Sequence, residues 1–281
     1  MWTLDPPDIT AEEAFRACIS RVRSHELKSR LENVIPDIEE AAEEYDECAE
    51  AAELHLIQPS EMVGENVTRD EMIRVYTGRM ANGSSPGRPY YDSIKALAEN
   101  EICPLCGHRQ VKTLDHVLAK AHFPIFAVTP INLVPACTDC NQAKANSLPQ
   151  AAEEVFLHPY YDDIDDDVWL RARIVERFPA AALFEASPPN QWPDVLAARL
   201  ENQFCRLGLA RLYSREAAQE ISSIRYSLQE LLESGGPDLV LKHLQQEQRS
   251  RRAAQRNSWR TALYTAMCDS DWFCDGGFRM P

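Results

Sequence analysis

The sequence predicts a mainly α-helical protein, with helical N- and C-terminal regions around a small centre of different character. Three observations predict it. Apolar residues recur at helical spacing behind capping boxes in the first eighty residues and again after residue 193. Two C-x-x-C pairs, Cys103/Cys106 and Cys137/Cys140, bracket segments that read as strands. The composition, 44% hydrophobic and 26% charged, suits a chain that buries a core, and no apolar run approaches the ~18 residues that cross a bilayer. The N-terminus "MWTLDPPDIT" lacks a basic stretch followed by an apolar one, so no membrane association and a cytoplasmic location are expected.

Residues 10–56 read as helices. Thr10 with Glu13 makes a capping box, and Phe15, Cys18, Ile19 and Val22 follow on one face. The acidic, alanine-rich stretch "PDIEEAAEEYDECAEAAELHL" is helix-forming throughout, with its charges on a solvated face. Thr68 with Glu71 is a second capping box, ahead of Met72, Val75, Tyr76 and Met80. "ANGSSPGRP" (81–89) is a loop, and "YYDSIKALAEN" a short helix. "VKTLDH" reads as a strand ending in Asp115-His116, "AVTPINLVPAC" as a loop and a second strand, and "CTDCNQAKANSL" as a helix opening at the second cysteine pair. "ASPPNQWP" (186–193) breaks the chain before Leu196, Leu200, Phe204 and Leu207, and "ESGGPD" separates a last helical segment. The expected organisation is an acidic helical region at 1–100, the cysteine-containing core at 101–169 and a helical region at 170–281.

The cysteines carry the first chemical signal. Thirty residues, 107–136, separate two matched C-x-x-C pairs, each followed by a turn former, Gly107 or Asn141. Four thiolates at this spacing suit one tetrahedral, structural Zn²⁺. The other five cysteines (Cys18, Cys48, Cys205, Cys268 and Cys274) are scattered and read as core residues. The predicted order of strand, loop, strand and helix, tied by zinc, brings Asp115-His116 close to the first turns of the helix that carries Asn141 and Lys144.

"CPLC", "LDH", "NLVPACTDCN" and the following Lys144 agree in order and spacing with a known pattern. This stretch, about a fifth of the chain, resembles an HNH endonuclease, the ββα-metal nuclease fold, in its zinc-knuckle form. The resemblance implies roles. His116 would be the general base that activates water, Asp115 a ligand of a catalytic Mg²⁺ or Mn²⁺, and Asn132 the residue that pins the loop carrying the base. Asn141 stands where many members have the final histidine, and its amide oxygen can serve as a hard-cation ligand. Lys144 would meet a phosphate, or be an ordinary exposed helix lysine. Ala119 stands where relatives often have proline. More loosely, "YD-x-I", "HPYYDD" and "GGF" are similar to segments of longer bacterial HNH proteins, several of which act in anti-phage defence beside an ATPase, the HNH subunit of Septu-type systems among them.

The net charge of −15 is uneven. Residues 1–100 carry 10 basic and 21 acidic side chains, and residues 170–281 carry 15 and 13. A protein that held DNA alone would show a basic footprint. The expectation is therefore that the acidic N-terminal helices dock onto a basic partner, an ATPase in the resemblance, which brings the nucleic acid or licenses cleavage. The favoured substrate is DNA. The rival readings are an RNA-cleaving toxin nuclease and a catalytically silent, zinc-stabilised interaction module. Elsewhere, His108 and His122 read as turn and loop residues, His158 as a buried hydrogen-bonded histidine, and "DDIDDD" as a solvated loop. "RSRRAAQRNSWR" (249–260) is the one basic cluster, fit for phosphate or for a salt-bridged face.

Overall fold

In the computed structural model, which describes residues 2–279, both capping boxes form. Thr10 accepts from the Glu13 N–H and the Glu13 carboxylate accepts in return, which starts helix α1 (Ala11–Ile19). Thr68 and Glu71 do the same for α4 (Arg69–Val75). Between them lie α2 (His25–Asn33), the acidic α3 (Ile35–Glu50) and a short hairpin of β1 (Met62–Val63) and β2 (Val67–Thr68). A π turn, Tyr76–Met80, continues α4, and α5 (Arg88–Ala96) follows. The chain is mainly α, with three two-stranded antiparallel sheets among the described residues.

The central hairpin pairs β3 (Thr113–His116) with β4 (Leu133–Ala136), and α6 (Thr138–Lys144) follows directly. Leu114 lies opposite Pro135. The Leu114 N–H points away from that pair, 3.3 Å from the Tyr91 hydroxyl. The proline, which has no N–H to give, therefore costs this position no ladder bond. The hairpin is built into the N-terminal helices. Leu114 and Leu133 join Phe15, Ile38 and Met72 in one apolar cluster, while Val117, Phe126 and Val134 join Tyr45 and Leu54 in another.

The chain divides into two compact units, one up to Asp163 and one from Ile164 on. Charge follows that division: up to residue 163 the chain carries 14 basic and 28 acidic side chains, and beyond it 15 and 16. The second unit opens with a hairpin that the sequence reading did not anticipate, β5 (Leu170–Val175) with β6 (Ala181–Ala186). Its signal was there in the alternation of Arg171 and Arg173 with Leu170, Ala172 and Ile174. Helix α7 (Asp194–Arg206) buries Leu200 and Phe204, as their spacing predicts. Helix α8 (Leu209–Ala254) runs through the expected break at "ESGGPD", which survives as a bend at Gly236, φ +71°. Pro237 removes a helical N–H there, and the residue before a proline avoids the α conformation. Helix α9 (Trp259–Cys268) and a final π turn complete the unit.

Of the five scattered cysteines, Cys18 and Cys274 are buried, Cys48 and Cys268 half-buried, and Cys205 exposed, so Cys205 is not the core residue it was expected to be. The acidic run is only partly solvated. The Asp162 carboxylate accepts the His158 N–H at 2.6 Å, and Asp167 accepts the Trp192 indole N–H at 2.8 Å. No helix among the described residues is long and apolar enough to cross a membrane.

Candidate active site

Cys103, Cys106, Cys137 and Cys140 are all buried, and their sulfur atoms lie within 4.8 Å of one another. Two tight turns produce this. The Gly107 N–H bonds back to Cys103 O at 2.8 Å, and the Arg109 N–H reaches Cys106 Sγ at 3.4 Å. In the second pair Cys137 is the N-cap of α6, and its sulfur accepts the Cys140 N–H at 3.3 Å. Gly107 sits at φ +57°, with Trp2 where a Cβ would go, 3.0 Å away. An Arg109–Asp139 ion pair of 2.9 Å ties one turn to the other. Four soft donors at this separation can hold a metal such as zinc.

The second constellation lies in a cleft of about 110 Å³, lined by Asp115, His116, Lys120 and Asn141 together with Tyr76 and Asn146. His116 is 4% exposed. Its Nε2 lies 2.9 Å from Ala127 O. A carbonyl only accepts, so Nε2 carries the proton and Nδ1 keeps its lone pair. The Tyr76 ring packs edge-on against the imidazole at 4.4 Å, placed there by the π turn. Burial, then the nearby Lys120 ammonium, holds the imidazole well below its usual pKa. The ring is therefore neutral at neutral pH.

Asp115 is 4% exposed, and burial raises its carboxyl above the usual range despite the opposing pull of Lys144. Lys144 does not occupy the exposed helix face considered for it. It is 3% exposed, with Nζ 3.3 Å from Asp115 Oδ2, and it donates to His116 O. The approach to Oδ2 is an ion pair without hydrogen-bond alignment, so that buried oxygen keeps no hydrogen-bond partner. Asn141 donates from Nδ2 to Leu114 O at 3.4 Å, which leaves Oδ1 as its free acceptor. A fully buried Asn132 accepts the Leu118 N–H at 2.7 Å and donates to Leu118 O and Phe126 O at 3.0 and 3.1 Å. It thus clamps both ends of the loop that follows His116.

The cleft brings together Asp115, His116 and Asn141. Asn132 is held in the loop behind them. His122 bonds Asn146 O at 3.1 Å. His158 is buried: its Nδ1 accepts the Tyr160 N–H at 3.3 Å and its Nε2 faces Ile131 O at 3.1 Å. Both ring nitrogens of His158 are used, and the Tyr160 hydroxyl donates to Leu133 O at 2.8 Å, so this segment braces the entry to β4. The sequence reading missed Lys120, whose ammonium lies 5.1 Å from the Tyr76 ring centre. The signal for it was its position four residues after His116, one turn into the loop that Asn132 closes.

Comparison with curated proteins finds protein ea31 of Escherichia phage lambda, 30% identical over 240 residues that cover 79% of each chain. No protein-family model matches the chain. No solved structure matches it either.

Proposed function

The chain belongs to the family of protein ea31 of Escherichia phage lambda, and from that footing we propose that it is a metal-dependent endonuclease of the HNH type, hydrolysing phosphodiester bonds in DNA. The observation that carries the reading is the state of His116. A buried imidazole that donates Nε2–H to a backbone carbonyl presents an unprotonated Nδ1 to a cleft that also holds Asp115 and Asn141. A general base needs that state.

The residues suit a hard cation. Asp115 Oδ2 is a buried carboxylate oxygen with no hydrogen bond, 3.3 Å from the Lys144 ammonium, and Asn141 offers Oδ1 as an acceptor in the same cleft. Oxygen donors of this kind favour Mg²⁺ or Mn²⁺. When bound, such an ion supplies charge stabilisation at the scissile phosphate and the leaving 3′ oxygen. The remaining work belongs to the chain. His116 Nδ1 takes the proton from the attacking water. Ala127 O and the Tyr76 ring hold the imidazole plane, and Asn132 fixes the loop. Lys144 pairs with Asp115 at the same Oδ2, a pairing the cation would have to share, and Lys120 adds a positive charge to the cleft. The four cysteines, with zinc, hold α6 against the hairpin. The excess of acid up to residue 163 supports a basic protein partner, in the resemblance an ATPase of anti-phage defence, docking on the N-terminal helices.

The test is plasmid nicking with Mg²⁺ or Mn²⁺ by wild type and by His116→Ala of equal zinc content. Wild type should nick, and the variant should lose about 10²–10⁴-fold in rate, the usual worth of a general base. Equal rates would remove His116 from the chemistry. No cutting by the wild type on DNA or on RNA, with or without a basic partner, would leave a zinc-stabilised interaction module.

A further inference from the structure

The basic stretch 249–260 is divided by the fold. Arg251 and Arg260 turn to one carboxylate, Glu220, at 3.5 and 3.6 Å, and each also stacks on an aromatic ring, Tyr264 and Trp259 respectively. These two are structural. Arg252 and Arg256 go the other way. With Arg171 of β5 they line a separate cleft of about 130 Å³ in the second unit, shared with Thr261, Thr265, Asp269 and apolar side chains such as Leu170 and Ala262. Arg256 is anchored there by donating from Nη1 to the carbonyls of Asp165 and Asp166. No side-chain hydrogen bond or ion pair holds Arg171 or Arg252 among the described residues. Three exposed arginines thus line one small cleft with a single carboxylate. Like charges brought together without counter-charge repel, and such a site is relieved by an anion. Planar guanidinium forks match the oxygens of phosphate better than a spherical anion. The volume equals about four waters at ~30 Å³ each, room for a phosphate group.

We propose that this arginine cleft, Arg171 with Arg252 and Arg256, binds a backbone phosphate of nucleic acid. The choice of nucleic acid rests on the nuclease reading; the cleft itself does not. It accounts for how a chain of net charge −15 holds a polyanion: affinity is set by local counterion release rather than by total charge. The hydroxyl groups of Thr261 and Thr265 donate to Gln255 O and Thr261 O, so what the site offers a phosphate is the charge of its arginines.

The experiment is fluorescence anisotropy of a labelled 20-base-pair duplex with full-length, zinc-loaded protein, without added Mg²⁺ or Mn²⁺ so that nothing is cut. Titrations run over a series of salt concentrations, with inorganic phosphate as competitor. Arg171→Gln/Arg252→Gln should weaken binding about tenfold and flatten the slope of log Kd against log salt by about one, the share of the one phosphate the cleft holds. Arg249→Gln, exposed on the same helix but outside the cleft, should change neither. Thermal midpoint and zinc content show that the variants fold. An unchanged Kd and slope in the double variant overturns the proposal. So does an equal loss in Arg249→Gln, and so does a double variant that alters self-association while leaving the duplex affinity intact, which would assign the cleft to the acidic surface of a second copy. Because no cleavage is read, binding that survives alongside failed nicking would sink the nuclease reading and leave the cleft standing.

Discussion

Lys144→Met tests how the cleft is supported. The side chain is 3% exposed and its ammonium is 3.3 Å from Asp115 Oδ2. Methionine fills most of the stem's volume and removes the charge. Two unit charges at that distance attract by about 5 kcal/mol at an effective dielectric of about 20. Breaking a buried pair from one side costs about 3–5 kcal/mol, because the other charge is left in a dry site. The His116 carbonyl also loses its donor, worth about 1 kcal/mol. We expect a loss of about 3–5 kcal/mol in urea denaturation of the zinc-loaded chain, read by hydrogen exchange within residues 113–144 so that the second unit does not mask it. The pH dependence has a definite sign. Burial raises the Asp115 carboxyl in the fold, so the folded state binds that proton more tightly than the unfolded chain, and ionisation works against folding. Without Lys144 to hold it down the carboxyl rises further, so the variant's deficit is full above the variant's own folded pKa and shrinks as pH falls towards the wild-type folded value. Lys144→Met/Asp115→Asn should lose less than Lys144→Met alone. A loss under about 1 kcal/mol, or a deficit that grows with acid, would refute a charge-based role.

Cys106→Ser should lower bound zinc from one equivalent per chain and melt the 103–144 segment, whereas Cys48→Ser should do neither; metal analysis with circular dichroism checks both. Asn132→Ala orphans two buried backbone groups, the N–H and the carbonyl of Leu118, while Phe126 O keeps the Thr129 N–H; it should cost about 2 kcal/mol, seen as a lower urea midpoint. Gly107→Ala forces a left-handed residue against Trp2 and should cost about 1–2 kcal/mol, seen as a lower urea midpoint; Gly107→Ala/Trp2→Ala removes the contact and leaves the backbone strain. The acid limb of the nicking rate should lie well below pH 6.5, since the imidazole is held neutral by burial and by Lys120. The same depressed pKa means that the unfolded chain takes up a proton there that the fold refuses, so stability falls as pH drops below about 6.5. A limb at or above that value would mean an exposed base.

How far the sequence could be read depended on how local each feature is. The capping boxes at Thr10 and Thr68 and the apolar faces behind them are set by residues three and four apart, and all were legible. So was the gathering of the four cysteines, because C-x-x-C turns are built within four residues and one metal-sized cluster follows from two of them. The hairpin at 170–186 was missed although its alternation is visible, since short strands compete with helical spacing over the same few residues. What the tertiary structure alone decided are the partnerships between distant residues. Lys144 looks like any surface lysine at the end of a polar helix. It is buried because α6 packs its last turn against β3, where Asp115 and the His116 carbonyl await a cation. The protonation of His116 is set by burial, by Lys120 and by Ala127 O, none of which the motif contains. Arg171, eighty-one residues from Arg252 in the chain, shares a cleft with it only because β5 packs beside the ends of α8 and α9. Sequence determines which groups are present and how each turn or helix starts. Burial and charge at a single atom depend on everything packed around it, and that is fixed only when the chain closes.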